Sequence, residues 1–247
     1  MLPDPMALAV TLGAALAAGL ARGFSGFGAA LIFIPLASAA LGPQLAAPVL
    51  LLVDNVTALP MLPPAWRRAD RGQALSLAAG ALAGAPAGAW LLLHLPPETL
   101  RWGICALAAA MLLLLASGWR YGGRPALPLS LGVGAASGLC SGAAQLGGPP
   151  VVAYWLGGAI PAAQVRANLV LFFACSGAIS AAVYLAGGLL GLQAALLAAL
   201  VAPPYAFGIW VGSRLFGLAS EAGFRRACFL LIGLAALLGL PLWDGLR

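Results

Sequence analysis

Two glycine-broken apolar segments, about 120 residues apart, carry the residues of this chain that are best suited to chemistry. They lie at residues 21–35 and 138–150. Because glycine has no side chain, the backbone N–H groups and helix N-termini at such breaks can approach a bound anion closely. Tight helix crossing also favours glycine and is the alternative. The residues predicted to line an anion site are Ser25, Gly26, Gly28, Ser141, Gln145, Gly147 and Gly148, with Tyr154, Trp155, Asn168, Ser176 and Ser180 as further candidates.

Two arginines border these breaks. Arg22 directly precedes the first break, and Arg166 follows Pro161 at the predicted start of a long apolar helix. A guanidinium group binds carboxylate, phosphate and sulfonate oxygens in a bidentate way. The pattern therefore predicts that both arginines coordinate a small anionic substrate. The alternative is that each is an anchor whose charged head reaches the membrane–water interface.

A third group lies near the middle of the apolar segment 44–66, where Asp54 is followed by Asn55 and Thr57. A carboxylate at bilayer depth is costly and marks a functional site by default. Since Asp54 would repel an anion, we expect it to carry a coupling H⁺ or Na⁺ beside the neutral oxygens of Asn55 and Thr57, or to pair with an arginine. A capped or salt-bridged structural Asp is the alternative. No other cofactor and no metal site are expected, because His94 is the only histidine and the four cysteines form no C-x-x-C pair.

The elements that must position these residues are membrane helices. The 247-residue chain is 63% hydrophobic and 7% charged, whereas average proteins have about 25% charged residues. Apolar runs near or above about 18 residues recur along the chain and indicate an all-α polytopic membrane protein in contact with the lipid bilayer. The net charge of +6 reflects 12 arginines, which cluster at predicted helix ends and indicate orientation in the bilayer rather than nucleic-acid binding.

Ten apolar segments are predicted, and two of them are short. A helix over 27–41 would measure roughly 22 Å, against a hydrocarbon core of about 30 Å. We expect this segment and 149–160 to be tilted helices or arms of re-entrant hairpins. The ten segments are 6–21, 27–41, 44–66, 73–93, 99–118, 126–141, 149–160, 162–186, 191–213 and 227–243.

The two halves of the chain match in order and predict an internal repeat. The first membrane repeat is predicted at 1–125 and the second at 126–247, with no soluble domain. Five segments in each repeat make the second repeat enter the membrane inverted. The matched features are Ser25-Gly26 with Ser141-Gly142, Pro35 with Pro150, Gly42-Pro43 with Ile160-Pro161, Glu98, Arg101 and Cys105 with Glu221, Arg225 and Cys228, and Gly84-x-x-x-Gly88 with Gly208-x-x-x-Gly212. The last pair consists of small-residue faces that favour close helix packing.

Arginine placement then predicts the topology. With five segments in each repeat, ten arginines fall on one side of the membrane, and Arg101 and Arg247 fall on the other. If each broken pair were one crossing, the arginines would divide almost evenly. Since arginine-rich loops are cytoplasmic in membrane proteins, we expect the arginine-rich loops in the cytoplasm and both termini in the periplasm.

The broken segments resemble the two halves of the TauE/SafE sulfite exporter family, also called the 4-toluene sulfonate uptake permease family. The motifs that carry the resemblance are residues 23–28 with Pro35 and Gly42-Pro43, Gly84-x-Pro86-x-Gly88, and residues 147–154 with Arg166-Ala167-Asn168-Leu169. The resemblance implies transport of sulfite, sulfoacetate, taurine-related sulfonates or thiosulfate across a bacterial inner membrane, with export as the commoner direction. Asp54-Asn55 departs from the family pattern, in which apolar or small residues are expected.

The function predicted from these observations is secondary transport, with export as the expected direction, of sulfite or another small organosulfur or organic anion. The substrate would be held between the broken helices of the two repeats near the membrane midplane. A passive anion channel is the alternative, and a membrane enzyme or assembly factor is a third class. The chain has no nucleotide-binding loop and no Ser-His-Asp, paired-carboxylate or metal-ligand set. We therefore expect neither ATP-driven transport by this chain alone nor catalysis.

Overall fold

The computed structural model describes residues 3–25, 27–119, 121–123, 126–156, 161–215 and 221–242. Every regular element in these ranges is helical, which confirms the predicted all-α class. A short 3₁₀ turn, Leu59–Met61, joins the third and fourth helices, where Pro60, Pro63 and Pro64 interrupt regular α-helical hydrogen bonding. The α-helices are α1 (Pro5–Ser25), α2 (Ala29–Leu41), α3 (Pro43–Ala58), α4 (Leu62–Arg68), α5 (Arg71–His94), α6 (Pro97–Ser117), α7 (Leu127–Ala144), α8 (Gly148–Leu156), α9 (Ala162–Ala186), α10 (Leu192–Leu215) and α11 (Glu221–Leu238).

Among the described residues, seven helical stretches are long and apolar enough to cross a membrane. They are Pro5–Phe24, Pro43–Arg68, Arg71–His94, Pro97–Ser117, Leu127–Ala144, Ala163–Ala186 and Leu192–Leu215. The protein is therefore a multi-pass membrane protein. The predicted short segment 27–41 is confirmed as the 13-residue α2. The last predicted segment, 227–243, overlaps α11, which spans Glu221–Leu238 and has 18 residues.

The chain divides into two compact units, each built from discontinuous stretches. The first unit comprises Met1–Val53, Leu95–Leu113 and Leu189–Arg247, and the second unit comprises Asp54–His94 and Leu114–Gly188. Each unit thus takes helices from both predicted repeats. The two units are defined by contacts between helices, whereas the two repeats were predicted from matching sequence motifs. The units therefore do not test the repeat boundaries, which stay a prediction.

Glycines allow α5 and α7 to pack backbone to backbone in the second unit. A Cβ at Gly84 would overlap the carbonyl of Ala135, and a Cβ at Gly88 would overlap that of Leu139. Since both positions advance by four residues, the two helices run parallel and in register. The small-residue face predicted at Gly84-x-x-x-Gly88 is confirmed as a close helix contact. The glycines in this contact are Gly80, Gly84 and Gly88 of α5 and Gly134, Gly138 and Gly142 of α7.

The first unit repeats this arrangement with α1 and α10. A Cβ at Gly208 would lie 2.5 Å from the carbonyl oxygen of Leu16, and a Cβ at Gly212 would overlap that of Leu20. These two helices are again parallel, and Gly19 of α1 faces the backbone of Tyr205 in return. In each unit, the helix that precedes a predicted break therefore packs against a glycine-bearing helix from the other half of the sequence.

The short helices α2 and α8 are buried on all sides. Leu31, Ile32, Phe33 and Ile34 follow one another in α2 with at most 1% of each residue exposed, and in the run Val151–Trp155 of α8 at most 5% of each residue is exposed. A helix that is apolar all round has to be buried. These two elements are therefore core helices of the protein.

Arg101, near the start of α6, is buried and closes one end of α11. Its Nη2 donates to the carbonyls of Gly239 at 3.1 Å and Leu240 at 3.3 Å. A cation at the C-terminal end of a helix is electrostatically favourable. Gly239 also lies against Pro35, where a Cβ would approach the Pro35 carbonyl oxygen to 2.8 Å. Arg101 thus fixes the end of α11 beside the buried helix α2.

Candidate functional site

A sharp turn separates α7 from α8. Gln145 follows the last residue of α7 and has a left-handed φ of 57°, the only positive φ of a non-glycine residue among those described. Its N–H donates to the carbonyl of Ser141 at 2.8 Å, and the N–H of Leu146 donates to that of Cys140 at 3.2 Å. A left-handed conformation costs about 1–3 kcal/mol for a residue with a side chain. Other contacts must therefore hold this turn.

After the turn, α8 runs back along α7. The Ser137 hydroxyl donates to the carbonyl of Gly147 at 2.6 Å. Seven residues earlier in α7 and seven residues later in α8, the hydroxyls of Ser130 and Tyr154 form a hydrogen bond of 2.8 Å. Between these two hydrogen bonds the residue numbers fall along α7 and rise along α8. The two helices therefore form an antiparallel hairpin and not a single interrupted crossing.

Side-chain donors occupy the carbonyl oxygens around the turn. The hydroxyl of Tyr184, from α9, donates to the carbonyl of Gly142 at 2.8 Å and lies 3.3 Å from that of Ser141. The amide Nε2 of Gln145 donates to the carbonyl of Ser141 at 2.9 Å and to the Tyr184 hydroxyl at 3.3 Å. Together with the hydrogen bond from Ser137 to Gly147, these bonds provide donors to three carbonyls near the beginning of α8, those of Ser141, Gly142 and Gly147.

The beginning of α8 lies level with the middle of its neighbouring helices. Gly147 is hydrogen-bonded to Ser137, which is near the middle of α7. A Cβ at Gly148 would lie 3.6 Å from the ring of Phe173, near the middle of α9. The N-terminal end of a helix, with its positive dipole end, is thus held at mid-depth within the second unit. Two of its first residues, Pro149 and Pro150, have no N–H, so Gly148 is the backbone donor left among its first three residues.

The other end of α8 is tied to α5. The indole Nε1 of Trp155 donates to Gln73 Oε1 at 3.1 Å, and the ring of Tyr154 stacks on that of Tyr121 with centroids 5.5 Å apart. The Gln73 side chain in turn donates to Asp70, which accepts at the start of α5. The predicted lining residue Tyr154 is therefore buried in a structural cluster about 10 Å along the chain axis from Gly147.

Asn168 belongs to the same polar cluster as Asp70. Its Oδ1 accepts a hydrogen bond of 2.7 Å from the backbone N–H of Asp70. The side chain is fully buried, and its Nδ2 has no hydrogen-bond partner. Arg166, one half-turn earlier, is exposed in the second turn of α9. Since seven residues separate Arg166 from Phe173, the two lie on the same face of α9, about 10 Å apart along its axis.

Asn55 lies against the middle of α9, in the second unit. A Cβ at Gly177 would lie 2.9 Å from Asn55 Cγ and 3.0 Å from its Nδ2. Thr57 directs its hydroxyl back to the backbone carbonyl of Asp54 at 3.1 Å. Gly177 is one turn beyond Phe173, so Asn55 and the beginning of α8 contact α9 within about 6 Å along its axis. Of the predicted coupling and binding residues, Asn55 and Gly148 therefore contact α9 about one turn apart.

The first break has a simpler turn. Gly28 has φ 89° and precedes α2, and a Cβ there would meet nothing within 4 Å. Arg22 is half-buried in the last turn of α1. Gly26 and the side chain of Ser25 lie outside the described residues.

Sequence reasoning did not identify Tyr184 or Gly177, and it used Arg101 only for the internal repeat and the topology. Tyr184 and Gly177 lie in an apolar helix, and their partners are distant in sequence, for example 42 residues away for the bond from Tyr184 to Gly142. One signal was present: polar residues recur every fourth position of α9 at Ser176, Ser180 and Tyr184. Such a row in a membrane helix is expected to face protein rather than lipid.

Together these helices define a multi-pass membrane protein whose second unit contains a broken helix pair, α7 and α8. The model of the family described as "Sulfite exporter TauE/SafE" matches residues 11–238 of the chain. The chain therefore belongs to the TauE/SafE sulfite exporter family, and the resemblance seen in its motifs is confirmed. It is a membrane transporter of the sulfite-exporter type. No curated protein and no solved structure matches the chain.

Proposed function

We propose that the protein is a secondary transporter, and specifically an exporter, of sulfite or another small organosulfur anion, and that the beginning of α8 binds the anionic head. The observation that carries the proposal is the position of Gly148 beside Phe173, near the middle of α9. Helix N-termini bind anions through backbone N–H groups and the helix dipole. The nearby carbonyls of Ser141 and Gly142 already accept hydrogen bonds from side chains, which lowers the repulsion that an oxyanion would meet.

We further propose that Asp54 carries the coupling H⁺ or Na⁺. Its neighbour Asn55 contacts Gly177, one turn of α9 away from the ring that faces Gly148. A charge change at this level would act on an anion at α8 over a short distance in a low-dielectric interior, where electrostatic interactions are strong. The contact of Asn55, next to Asp54 in the sequence, with the helix that also faces Gly148 supports this proposal.

The proposed topology has five segments in each of two inverted repeats, with cytoplasmic arginine-rich loops and periplasmic termini. The antiparallel α7–α8 hairpin supports it, because a merged crossing would divide the arginines evenly. Two arginines pack over exposed indoles near helix ends: Arg71 lies 4.9 Å from the Trp66 ring and Arg214 lies 4.2 Å from the Trp210 ring. Such aromatic and basic pairs are typical of membrane interfaces. We propose the bacterial inner membrane as the location.

The duplicated sequence motif further suggests that the first break, with Arg22, Ser25, Gly26 and Gly28, contributes a second set of groups to the anion. This part of the proposal rests on the repeat in the sequence. Each break has one residue with a left-handed φ, Gly28 before α2 in the first and Gln145 after α7 in the second.

Transport in liposomes tests the proposal. Purified protein should catalyse counterflow of labelled sulfite against an excess of unlabelled sulfite, because a carrier exchanges substrates across the membrane. Gly148→Ala adds a methyl group that has space beside Phe173 but intrudes on the backbone donors, so it should weaken sulfite binding. Gly132→Ala on α7, where a Cβ meets nothing within 4 Å, is the matched control.

Sulfite flux through the protein without counterflow would establish the alternative function, a passive anion channel. A thermal-shift screen against sulfite, taurine, thiosulfate and acetate identifies the substrate class, since a ligand stabilises the folded state as the logarithm of its concentration over Kd. Equal stabilisation by acetate and by the sulfur anions would contradict the assignment to sulfur anions.

A further inference from the structure

Three arginines lie close together where two membrane-spanning stretches of the second unit meet. The stretch Pro43–Arg68 ends there, and the stretch Arg71–His94 begins there. Because both stretches are long and apolar enough to cross a membrane, the link between them lies at a membrane surface. Arg67, Arg68 and Arg71 are all exposed. We call residues 66–71 the arginine link, and it presents its positive charge at the level of the lipid headgroups.

The protein does not neutralise this charge. Asp70 is the only carboxylate between positions 55 and 97, and three arginines against one aspartate leave the arginine link with a net charge of +2. The carboxylate of Asp70 accepts hydrogen bonds from Gln73, at 3.1 Å from its N–H and at 2.7 Å from its Nε2. In the part of the chain that the structure describes, the guanidinium groups of Arg67 and Arg68 have no hydrogen-bond or ion-pair partner.

The guanidinium of Arg71 is held in place from one side. Its Nε donates to the backbone carbonyl of Trp66 at 3.2 Å, and its Cζ lies 4.9 Å from the centroid of the Trp66 ring. These two contacts orient the group and leave its Nη atoms for another acceptor. Since a guanidinium binds phosphate oxygens through paired N–H groups, the arginine link contains an oriented donor for a phosphate.

The backbone that carries the arginines is also fixed. Helix α4 packs against α9, and its Ala65 is buried. Directly after α4, the N–H of Asp70 donates to Oδ1 of Asn168 in α9 at 2.7 Å. Pro63 and Pro64 restrict the backbone at the beginning of α4. A partner therefore meets a preformed surface, and little conformational freedom is lost on binding.

Exposed apolar side chains lie on the membrane side of the arginines. Val56, Leu59 and Met61 are exposed and belong to the same spanning stretch, and the exposed Trp66 follows them at the start of the arginine link. Tryptophan is enriched at the level of lipid headgroups. A ligand with both acyl chains and a phosphate fits this order of apolar, aromatic and cationic groups, whereas a free anion would use the arginines alone.

We propose that the arginine link binds the headgroup of an anionic phospholipid, whose acyl chains lie against Val56, Leu59 and Met61. Arg71 supplies the oriented contact to the phosphate, and Arg67 and Arg68 supply further positive charge. A zwitterionic lipid is disfavoured because its ammonium group is repelled by the net positive charge of the link. This inference goes beyond the proposed function and does not depend on the transported substrate.

Lipid titration of the purified full-length protein in detergent tests the proposal. Phosphatidylglycerol should raise the thermal unfolding temperature in a saturable way, because a ligand of the folded state stabilises it. Phosphatidylcholine with the same acyl chains and soluble glycerol phosphate should each have a much smaller effect. The midpoint of the titration gives an apparent affinity for each lipid.

A protein with both Arg67→Gln and Arg68→Gln removes charge and keeps the contacts of Arg71. Its apparent affinity for phosphatidylglycerol should fall roughly fivefold for each arginine removed, since one arginine near an anionic surface is worth about 1 kcal/mol. Arg71→Gln removes the oriented guanidinium and should lower the affinity by at least as much as either of the other arginines.

Arg214→Gln is the matched control. Arg214 lies 4.2 Å from the ring of Trp210, so it forms the same kind of arginine–indole pair. It is the only charged residue between positions 205 and 220, so that pair lacks the additional arginines of the link. This substitution should leave the affinity for phosphatidylglycerol unchanged.

Three results would overturn the proposal. They are equal stabilisation by phosphatidylglycerol and phosphatidylcholine, an unchanged affinity for phosphatidylglycerol in the double variant, and an equal loss of affinity in Arg214→Gln. Stabilisation by glycerol phosphate as strong as that by phosphatidylglycerol would also overturn it, because the link would then be a site for free anions.

Discussion

Asn55 of α3 lies directly against Gly177 of α9, with room for no side chain between them. A Cβ at position 177 would be 2.9 Å from Asn55 Cγ. Gly177→Ala therefore displaces Asn55 without removing it. We expect a loss of about 1–3 kcal/mol in unfolding free energy, typical of overpacking.

The thermal stability of the protein in detergent measures this loss. Asn55→Ala in the Gly177→Ala background should recover most of it, since the double substitution removes the clash. Gly103→Ala on α6, where a Cβ meets nothing within 4 Å, should be tolerated. A Gly177→Ala protein as stable as the unsubstituted chain would contradict the contact.

Arg101, in the first unit, should be important for stability. Its guanidinium donates to Gly239 and Leu240 at the end of α11. Arg101→Leu leaves these carbonyls without their charged donor, and we expect it to cost about 1.5–3 kcal/mol. Arg101→Lys should recover part of the loss. Thermal unfolding measures both variants, and an unaffected Arg101→Leu protein would show that the cap contributes nothing.

The orientation of the protein in the membrane can be tested at the two ends of α5. In a cysteine-free background, Arg68→Cys precedes the helix and His94→Cys ends it, and both positions are exposed. Because the intervening helix is long enough to cross the membrane, the two cysteines should lie on opposite sides. We expect an impermeant thiol reagent added outside intact cells to label position 94 and spare position 68. Labelling of position 68 from outside would refute the proposed orientation.

Arg166 distinguishes an anion ligand from an interface anchor. It lies on the face of α9 that carries Phe173, about 10 Å along the axis. If it contributes to substrate binding, Arg166→Ala should weaken sulfite binding, and Arg166→Lys should not restore it fully because the planar fork is lost. Arg214→Lys, at the exposed end of α10, is the control. Normal binding and transport by Arg166→Ala would make Arg166 an anchor.

Asp54 should be required for coupling but not for binding. Asp54→Asn removes the group that changes charge while keeping its size, so sulfite binding should persist and the dependence of flux on a pH or Na⁺ gradient should be lost. Transport into liposomes with imposed gradients measures this. Thr57→Ala removes only a hydroxyl that bonds to the Asp54 backbone, and it should keep the gradient dependence.

Two other outcomes are decisive for Asp54. Gradient-driven flux that survives Asp54→Asn unchanged would exclude a coupling role and favour uniport. Loss of the folded protein, detected by thermal unfolding, would establish the structural alternative for this carboxylate.

The sequence alone determined the membrane class, the family, the short α2 and the small-residue face at Gly84 and Gly88. These properties depend on composition, local spacing and helix length, which can be read directly from the sequence. A row of apolar residues requires burial or lipid, and glycine at every fourth position creates a flat helix face whatever its partner.

Only the tertiary structure decided which face meets which partner. The contacts of Tyr184 with Gly142, of Asn55 with Gly177 and of Arg101 with Gly239 join residues 42, 122 and 138 positions apart. In an apolar helix nearly every residue is compatible with burial, so the hydrophobic pattern cannot select the residues that face protein. That selection comes from close backbone approach and from the need to pair each buried polar group, and both depend on helices that are brought together only in the folded chain.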